Sequence, residues 1–143
     1  TPASIHANRW TLLVNDLCRQ AVLNRKMILR SSGIQKRDFI PISDICQVVK
    51  HFLEIDNSLF GDGIFNVGSG RSISVKDIAA IIAKRCEILF NFFPTVQINN
   101  AISEDANEFT VSIDKLIEAG FSPSGSLINE IDSTLLFCMK QFS

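Results

Sequence analysis

Two stretches of this chain hold residue types that suit ligand chemistry: an arginine at a strand-to-helix junction and a turn built on glycines. Arg37 lies in Lys36-Arg37-Asp38-Phe39-Ile40-Pro41-Ile42-Ser43-Asp44, which reads as a short strand handing over directly to a helix. Phe39, Ile40 and Ile42 give strand-like apolar content, Pro41 suits a strand end, and Ser43 or Asp44 stands where a helix cap belongs. A guanidinium fixed there offers forked donors and a permanent charge, which is the equipment for gripping a phosphate. The same spacing equally lets Arg37 pair with Asp38 or Asp44.

The second stretch, Gly63-Ile64-Phe65-Asn66-Val67-Gly68-Ser69-Gly70-Arg71-Ser72-Ile73-Ser74-Val75-Lys76-Asp77-Ile78, reads as strand, glycine turn, helix. Ile64, Phe65 and Val67 resemble a strand buried on both faces. Ser74 with Asp77 three residues on has the form of a capping box. Gly68 and Gly70 let the backbone turn sharply and come close to a ligand, and the carboxyl end of a strand in an open α/β sheet is where ligands lodge. Gly68-x-Gly70 lacks a third glycine and is no dinucleotide fingerprint; a plain strand-to-helix turn is the other reading. Cys18, Cys46, Cys86 and Cys138 are far apart, three of them inside apolar helical patterns, and read as small buried residues, not a disulfide frame or metal knuckle. His6 and His51 share no ligand spacing with them.

Elements to position these groups are legible along the chain. Trp10, Leu13, Val14, Leu17, Cys18 and Ala21 recur at helical intervals over 10–23, and Met27-Ile28-Leu29-Arg30 follows as a short strand. Ile45, Val48, Val49, Phe52 and Leu53 mark a second helix, which the Gly61-Asp62-Gly63 turn closes off. Residues 93–98 read as one more strand and 99–107 as a loop. Ser112 is placed to cap a short helix over 113–119 that Gly120 ends, and a last helix spans 127–142.

The chain's 143 residues, 46% of them hydrophobic, suit one domain with a genuine core, and a formal charge of −1 argues against nucleic acid or an anionic membrane as partner. The longest apolar run, Ile88-Leu89-Phe90-Asn91-Phe92-Phe93, is too short to span a bilayer, so a soluble, cytoplasmic protein is expected. The first residue is Thr1, and a piece of a longer polypeptide is expected as well.

Taken in order, Gly33-Ile34-Gln35-Lys36-Arg37-Asp38-Phe39-Ile40-Pro41-Ile42-Ser43-Asp44, Ile64-Phe65-Asn66-Val67-Gly68-Ser69-Gly70, Ser74-Val75-Lys76-Asp77-Ile78, and Asp114-Lys115-Leu116 with Gly120-Phe121-Ser122-Pro123 resemble the back half of the NAD-dependent epimerase/dehydratase family. These are extended short-chain dehydrogenase/reductases acting on nucleotide sugars. The resemblance implies an α/β fold, the C-terminal lobe of such an enzyme: mostly helices with a few short strands, some of which would complete a Rossmann sheet. Residues 1–143 would form a single substrate-binding region. The N-terminal NAD-binding Rossmann part, with the family's Tyr-x-x-x-Lys set, would lie outside it, and the chain contains no tyrosine. No catalytic or cofactor-binding residue is therefore assigned to this chain. NAD or NADP is expected for the full-length enzyme and none for this piece.

Residue by residue, the resemblance gives Arg37 the clamp on a nucleotide diphosphate. It places Ile28, Leu29 and Arg30 on the strand that borders the base, Phe39 near the sugar or diphosphate, and Asn66 in the strand-end motif. Trp10 falls near a nucleotide-contacting helix start, and Arg71 adds a second positive group. The implied partners are a nucleotide-diphosphate sugar and the Rossmann part; a homo-oligomer is a separate expectation, from lost sheet neighbours. A non-catalytic binding module is the alternative.

One departure concerns the loop Asn99-Asn100-Ala101-Ile102-Ser103-Glu104-Asp105, where many relatives carry a second phosphate-binding arginine and this chain has no basic residue. A lost charge-assisted contact costs roughly 1.5–3 kcal/mol. Arg30 or Arg71 would have to compensate, or the substrate differs from a UDP-sugar. Lost sheet neighbours around 64–67 would leave an apolar surface, exposed or covered by self-association.

Overall fold

The computed structural model describes residues 4–6, 9–99 and 109–142. In chain order the elements are α1 (Leu13–Asn24), β1 (Lys26–Leu29), β2 (Lys36–Asp38), α2 (Ile42–Glu54), a 3-10 turn at Asn57–Leu59, β3 (Ser72–Ser74), α3 (Val75–Phe90), β4 (Thr95–Ile98), α4 (Asp114–Glu118) and α5 (Leu127–Phe142). They divide into two compact units, one of Thr1–Gln35, Ser74–Asn107 and Ile128–Ser143, the other of Lys36–Ile73 and Glu108–Leu127.

In the first unit α1 buries Leu17, Cys18, Ala21 and Val22, the stripe expected from its periodicity. Arg25 then takes a left-handed turn at φ 48° and sends the chain back as β1. β1 pairs in parallel with β4, Met27 opposite Val96 and Leu29 opposite Ile98. Away from β4, the Ile28 N–H donates to Gln20 Oε1 at 2.8 Å, so a side chain takes the bond that a further strand would make. α3 contributes Ile78, Ile82 and Cys86 to the core, and α5 contributes Ile131, Leu135 and Cys138. Arg85 on α3 grips Asp132 on α5 with two hydrogen bonds of 2.7 Å. Trp10 packs on the rings of Phe137 and Phe142 near the end of α5.

The second unit is built on Val48, Ile113 and Leu116, with Phe52, Val67, Val111 and Phe121 packed against them. β2 and β3 form its two-stranded sheet. Phe52, Phe60 and Phe65 make a ring cluster, beside which Lys115 bonds Asp62 and the Ile64 carbonyl, the latter at 2.7 Å. His51 Nε2 lies 2.8 Å from the Ala119 carbonyl oxygen.

Several expectations are corrected. Residues 64–67 form no strand: they run without ladder bonds, with Ile64 73% exposed, and the strand that enters α3 is Ser72–Ser74. Apolar content there serves the ring cluster, where Phe65 packs on Phe52 at 4.6 Å between centroids. β2 covers only Lys36–Asp38, because α2 already starts at Ile42, and its N-cap is Pro41. Neither Ser43 nor Asp44 caps it; Asp44, 2% exposed, instead accepts the backbone N–H groups of Ser124 and Gly125 at 3.2 and 2.9 Å. The N-cap of α4 is Ile113, not Ser112. Ser74 caps α3 as the expected capping box requires, with the Asp77 N–H donating to Ser74 Oγ at 3.2 Å, while the Asp77 carboxylate accepts from the Ser74 hydroxyl. Cys18, Cys86 and Cys138 are buried and free as expected, whereas Cys46 is exposed. The loop expected over 99–107 lies, past Asn99, outside the described residues.

α2 carries apolar side chains on two faces. Val48 and Phe52 face the core, while Ile42, Cys46, Val49 and Leu53, spaced four, three and four apart, stand in solvent, Leu53 at 82% exposure. Among the described residues no helix is long and apolar enough to cross a membrane.

Candidate functional site

The first unit holds a cavity of about 300 Å³ between the start of α1, the end of β1 and the loop after it. Leu13, Leu17, Ile28, Leu29 and Val75 supply its apolar lining, with Trp10. Thr11, Asp16, Arg19, Arg30, Ser31 and Gln35 supply the polar part. The Trp10 Nε1–H donates to the Ile5 carbonyl at 3.1 Å, which fixes the indole.

Most of the polar groups are held by neighbours. Asp16 Oδ2 accepts from Gln20 Nε2 at 2.8 Å, and Gln20 is in turn tied to the β1 backbone through Ile28. Asp16 Oδ1 is 3.4 Å from an Arg19 nitrogen, and the Arg19 guanidinium lies 5.6 Å from the centre of the Trp10 ring. Gln35 Nε2 donates to Ser31 Oγ at 2.9 Å across the loop, whose turn needs Gly33 at φ 73°. A Cβ on Gly33 would come within 3.0 Å of Leu29. Arg30 differs from the rest: it is exposed and makes no ion pair among the described residues.

Of the residues proposed from sequence, Trp10, Ile28, Leu29 and Arg30 thus meet around one cavity. Arg37, Phe39, Asn66 and Arg71 belong to the second unit and do not line it. Arg37 is exposed on β2 and pairs with neither neighbouring carboxylate. Asp38 accepts the N–H groups of Ser69 and Gly70 at 2.7 and 3.1 Å, and Asp44 is spent on Ser124 and Gly125. Phe39 is half-buried, and Asn66 and Arg71 are exposed. Asp16, Gln20, Ser31 and Gln35 were not singled out by the sequence, although the i,i+4 spacing of Asp16 and Gln20 on one helix is a signal that pairs such side chains.

The glycine turn does not fit a dinucleotide. The N–H groups that would face a pyrophosphate already face the Asp38 carboxylate, and a Cβ on Gly68 would meet Asp38 and Val111 at 3.0 Å. Among the described residues no three His, Cys, Asp or Glu side chains are placed to hold a metal ion. Burial pushes the Cys86 and Cys138 thiols up to about 11 and that of Cys18 well above its usual value, so these are not nucleophiles near neutral pH.

No family model matches the chain. Over 101 residues it is 32% identical to the dTDP-4-dehydro-6-deoxyglucose reductase of Escherichia coli, a match that covers 70% of this chain and 30% of the reductase. Among solved structures, RMD from Pseudomonas aeruginosa in complex with NADPH superposes with a TM-score of 0.74 at 14% identity, over 94% of this chain and 44% of that one. The UDP-N-acetylglucosamine 4-epimerase of Methanobrevibacter ruminantium in complex with UDP-N-acetylmuramic acid gives 0.67 at 20% identity, over 90% and 39%. The chain spans less than half the length of each. Fold and sequence likeness point the same way: the chain has the α/β fold of the C-terminal lobe of extended short-chain dehydrogenase/reductases, and its sequence is similar to part of a nucleotide-sugar reductase and part of an ADP-L-glycero-D-manno-heptose-6-epimerase.

Proposed function

We propose that this chain is the substrate-binding portion of a cytoplasmic, NAD(P)-dependent nucleotide-sugar epimerase, dehydratase or reductase. The observation that carries the reading is the convergence of Trp10, Ile28, Leu29 and Arg30 on one cavity of about 300 Å³ in the first unit, large enough for a nucleoside base with part of its ribose. The apolar side chains of Ile28 and Leu29 and the Trp10 indole suit the faces of a base, and Arg30 supplies a positive charge that makes no ion pair among the described residues. In the second unit Arg37 keeps the diphosphate role that the family resemblance implies; that it makes no ion pair among the described residues supports this, since a guanidinium committed to Asp38 or Asp44 would not be available.

The nicotinamide would be held by a part of the protein that this chain does not supply. When bound there it exchanges hydride with the sugar, and what this chain contributes is placement: fixing nucleotide and sugar in one orientation so that hydride donor and acceptor meet. A thermal-shift panel of UDP-, dTDP-, GDP- and CDP-sugars is expected to raise the melting temperature with at least one nucleotide. Arg30→Ala and Arg37→Ala are each expected to weaken that binding more than tenfold, the equivalent of one lost charge-assisted hydrogen bond. No shift with any of the four at millimolar ligand would rule the reading out.

A further inference from the structure

Asp16 has no part in the reading so far, yet it places a carboxylate in the wall of the cavity. Two neighbours that are themselves anchored hold it in place. Gln20 donates to Oδ2 at 2.8 Å and is tied to the Ile28 N–H, and Arg19 approaches Oδ1 at 3.4 Å while lying over Trp10. An ionised carboxylate has about four acceptor positions, so two interactions leave capacity for donors from the cavity. The side chain keeps 24% of its surface accessible.

Asp16 is ion-paired with Arg19 at 3.4 Å, but its remaining acceptor positions suit hydrogen-bond donors and not phosphate oxygens, whereas Arg30, beyond the end of β1, makes no ion pair among the described residues and is where a phosphate is favoured. The group beside Asp16 must then be the base, presenting N–H donors. Guanine has two adjacent donors on one edge, N1–H and the exocyclic N2 amino group, which one carboxylate can accept together. Uracil and thymine present a single N–H flanked by two carbonyl oxygens, and both oxygens would face the negative charge. Cytosine and adenine place a ring nitrogen acceptor beside their one amino group. Resting on the reading of this cavity as the nucleoside pocket, we infer that Asp16 is its base-selecting residue and that the cavity takes a guanosine nucleotide in preference to a uridine or thymidine one.

Calorimetric titration of the chain with GDP, IDP, UDP and dTDP at one salt concentration tests this. GDP is expected to bind at least tenfold more tightly than UDP or dTDP, the fold-change of one charge-assisted hydrogen bond. IDP, which lacks only the N2 amino group, is expected to fall between them. Asp16→Asn, with an amide that both donates and accepts, is expected to bring GDP and UDP within about threefold of each other, with an unchanged circular dichroism spectrum. A purely structural Asp16 would lower all four affinities alike and leave their ranking intact, which would overturn the inference. UDP or dTDP binding as tightly as GDP to the unaltered chain would overturn it too, and would leave the nucleotide-pocket reading standing. If none of the four binds at millimolar concentration, that reading falls and the inference with it. The comparison of GDP with IDP on the unaltered chain decides the matter even if the variant fails to fold.

Discussion

Asp38 and Asp44 do inside the second unit what a bound anion does elsewhere: each carboxylate fills a concavity of two successive backbone N–H groups, at Ser69–Gly70 and at Ser124–Gly125. With both acids turned to these backbone groups, Arg37 pairs with neither among the described residues. Asp44 is the more deeply committed, at 2% exposure. Asp44→Ala strands two N–H groups and is expected to cost roughly 1.5–3 kcal/mol in urea denaturation. Asp44→Asn, whose amide oxygen can still accept, is expected to cost less. The buried thiols make a second prediction at this scale. Burial raises Cys86 and Cys138 to about 11, against an ordinary value of 9.0. The folded state therefore keeps protons that the unfolded chain releases above pH 9, and the stability they confer is complete below that pH and declines up to about 11. The slope is about 1.4 kcal/mol per pH unit per thiol. Denaturation midpoints measured at pH 7, 9 and 10 should fall with pH, and less steeply in Cys86→Ala. Iodoacetamide at pH 8 should label Cys46 and spare the three buried thiols until the chain is unfolded.

At the scale of elements, the helices are set by apolar periodicity, and the sequence showed it well. α5 spans the residues expected, α1 buries Leu17, Cys18 and Ala21 of its expected stripe, and the Ser74 cap is in place. Removing that cap by Ser74→Ala is expected to cost about 1 kcal/mol, read as a lower urea midpoint with an unchanged slope. The strands were harder to read for a physical reason. β2 and β3 have three residues each, too few for alternation to show, and β2, as Lys-Arg-Asp, has no apolar residue. The apolar run at 64–67 looked like a buried strand because Phe65 and Val67 serve side-chain packing, Phe65 in a ring cluster and Val67 against the second core, while Ile64 is exposed. The candidate site was legible where an element delivers consecutive residues, as at Ile28, Leu29 and Arg30. It was not legible at Asp16, Ser31 and Gln35, whose place in the cavity wall follows from how α1 and the loop after β1 pack, and no local pattern records that.

At the scale of the whole molecule, the outer stripe of α2 is the feature least at ease in water. A helix with one apolar face in a core and a second facing outward has the composition of a layer between two others. Here the second face, Ile42, Cys46, Val49 and Leu53, is bare, and Leu59 and Ile64 of the same unit are also exposed, at 50% and 73%. Burying such side chains gains roughly 25 cal/mol per Å² of apolar surface, so pairing the stripes of two copies is favourable wherever concentration offsets the lost freedom of association. The chain is therefore expected to self-associate, its mean mass by light scattering rising along a concentration series. Leu53→Glu together with Val49→Lys should return it to the monomer mass. These exposed positions contribute little to folding, so the melting temperature of the double variant should match that of the parent chain at low concentration. A chain that stays monomeric across the whole series would show that water tolerates this face. A double variant that loses both association and stability would show instead that the stripe belongs to the fold.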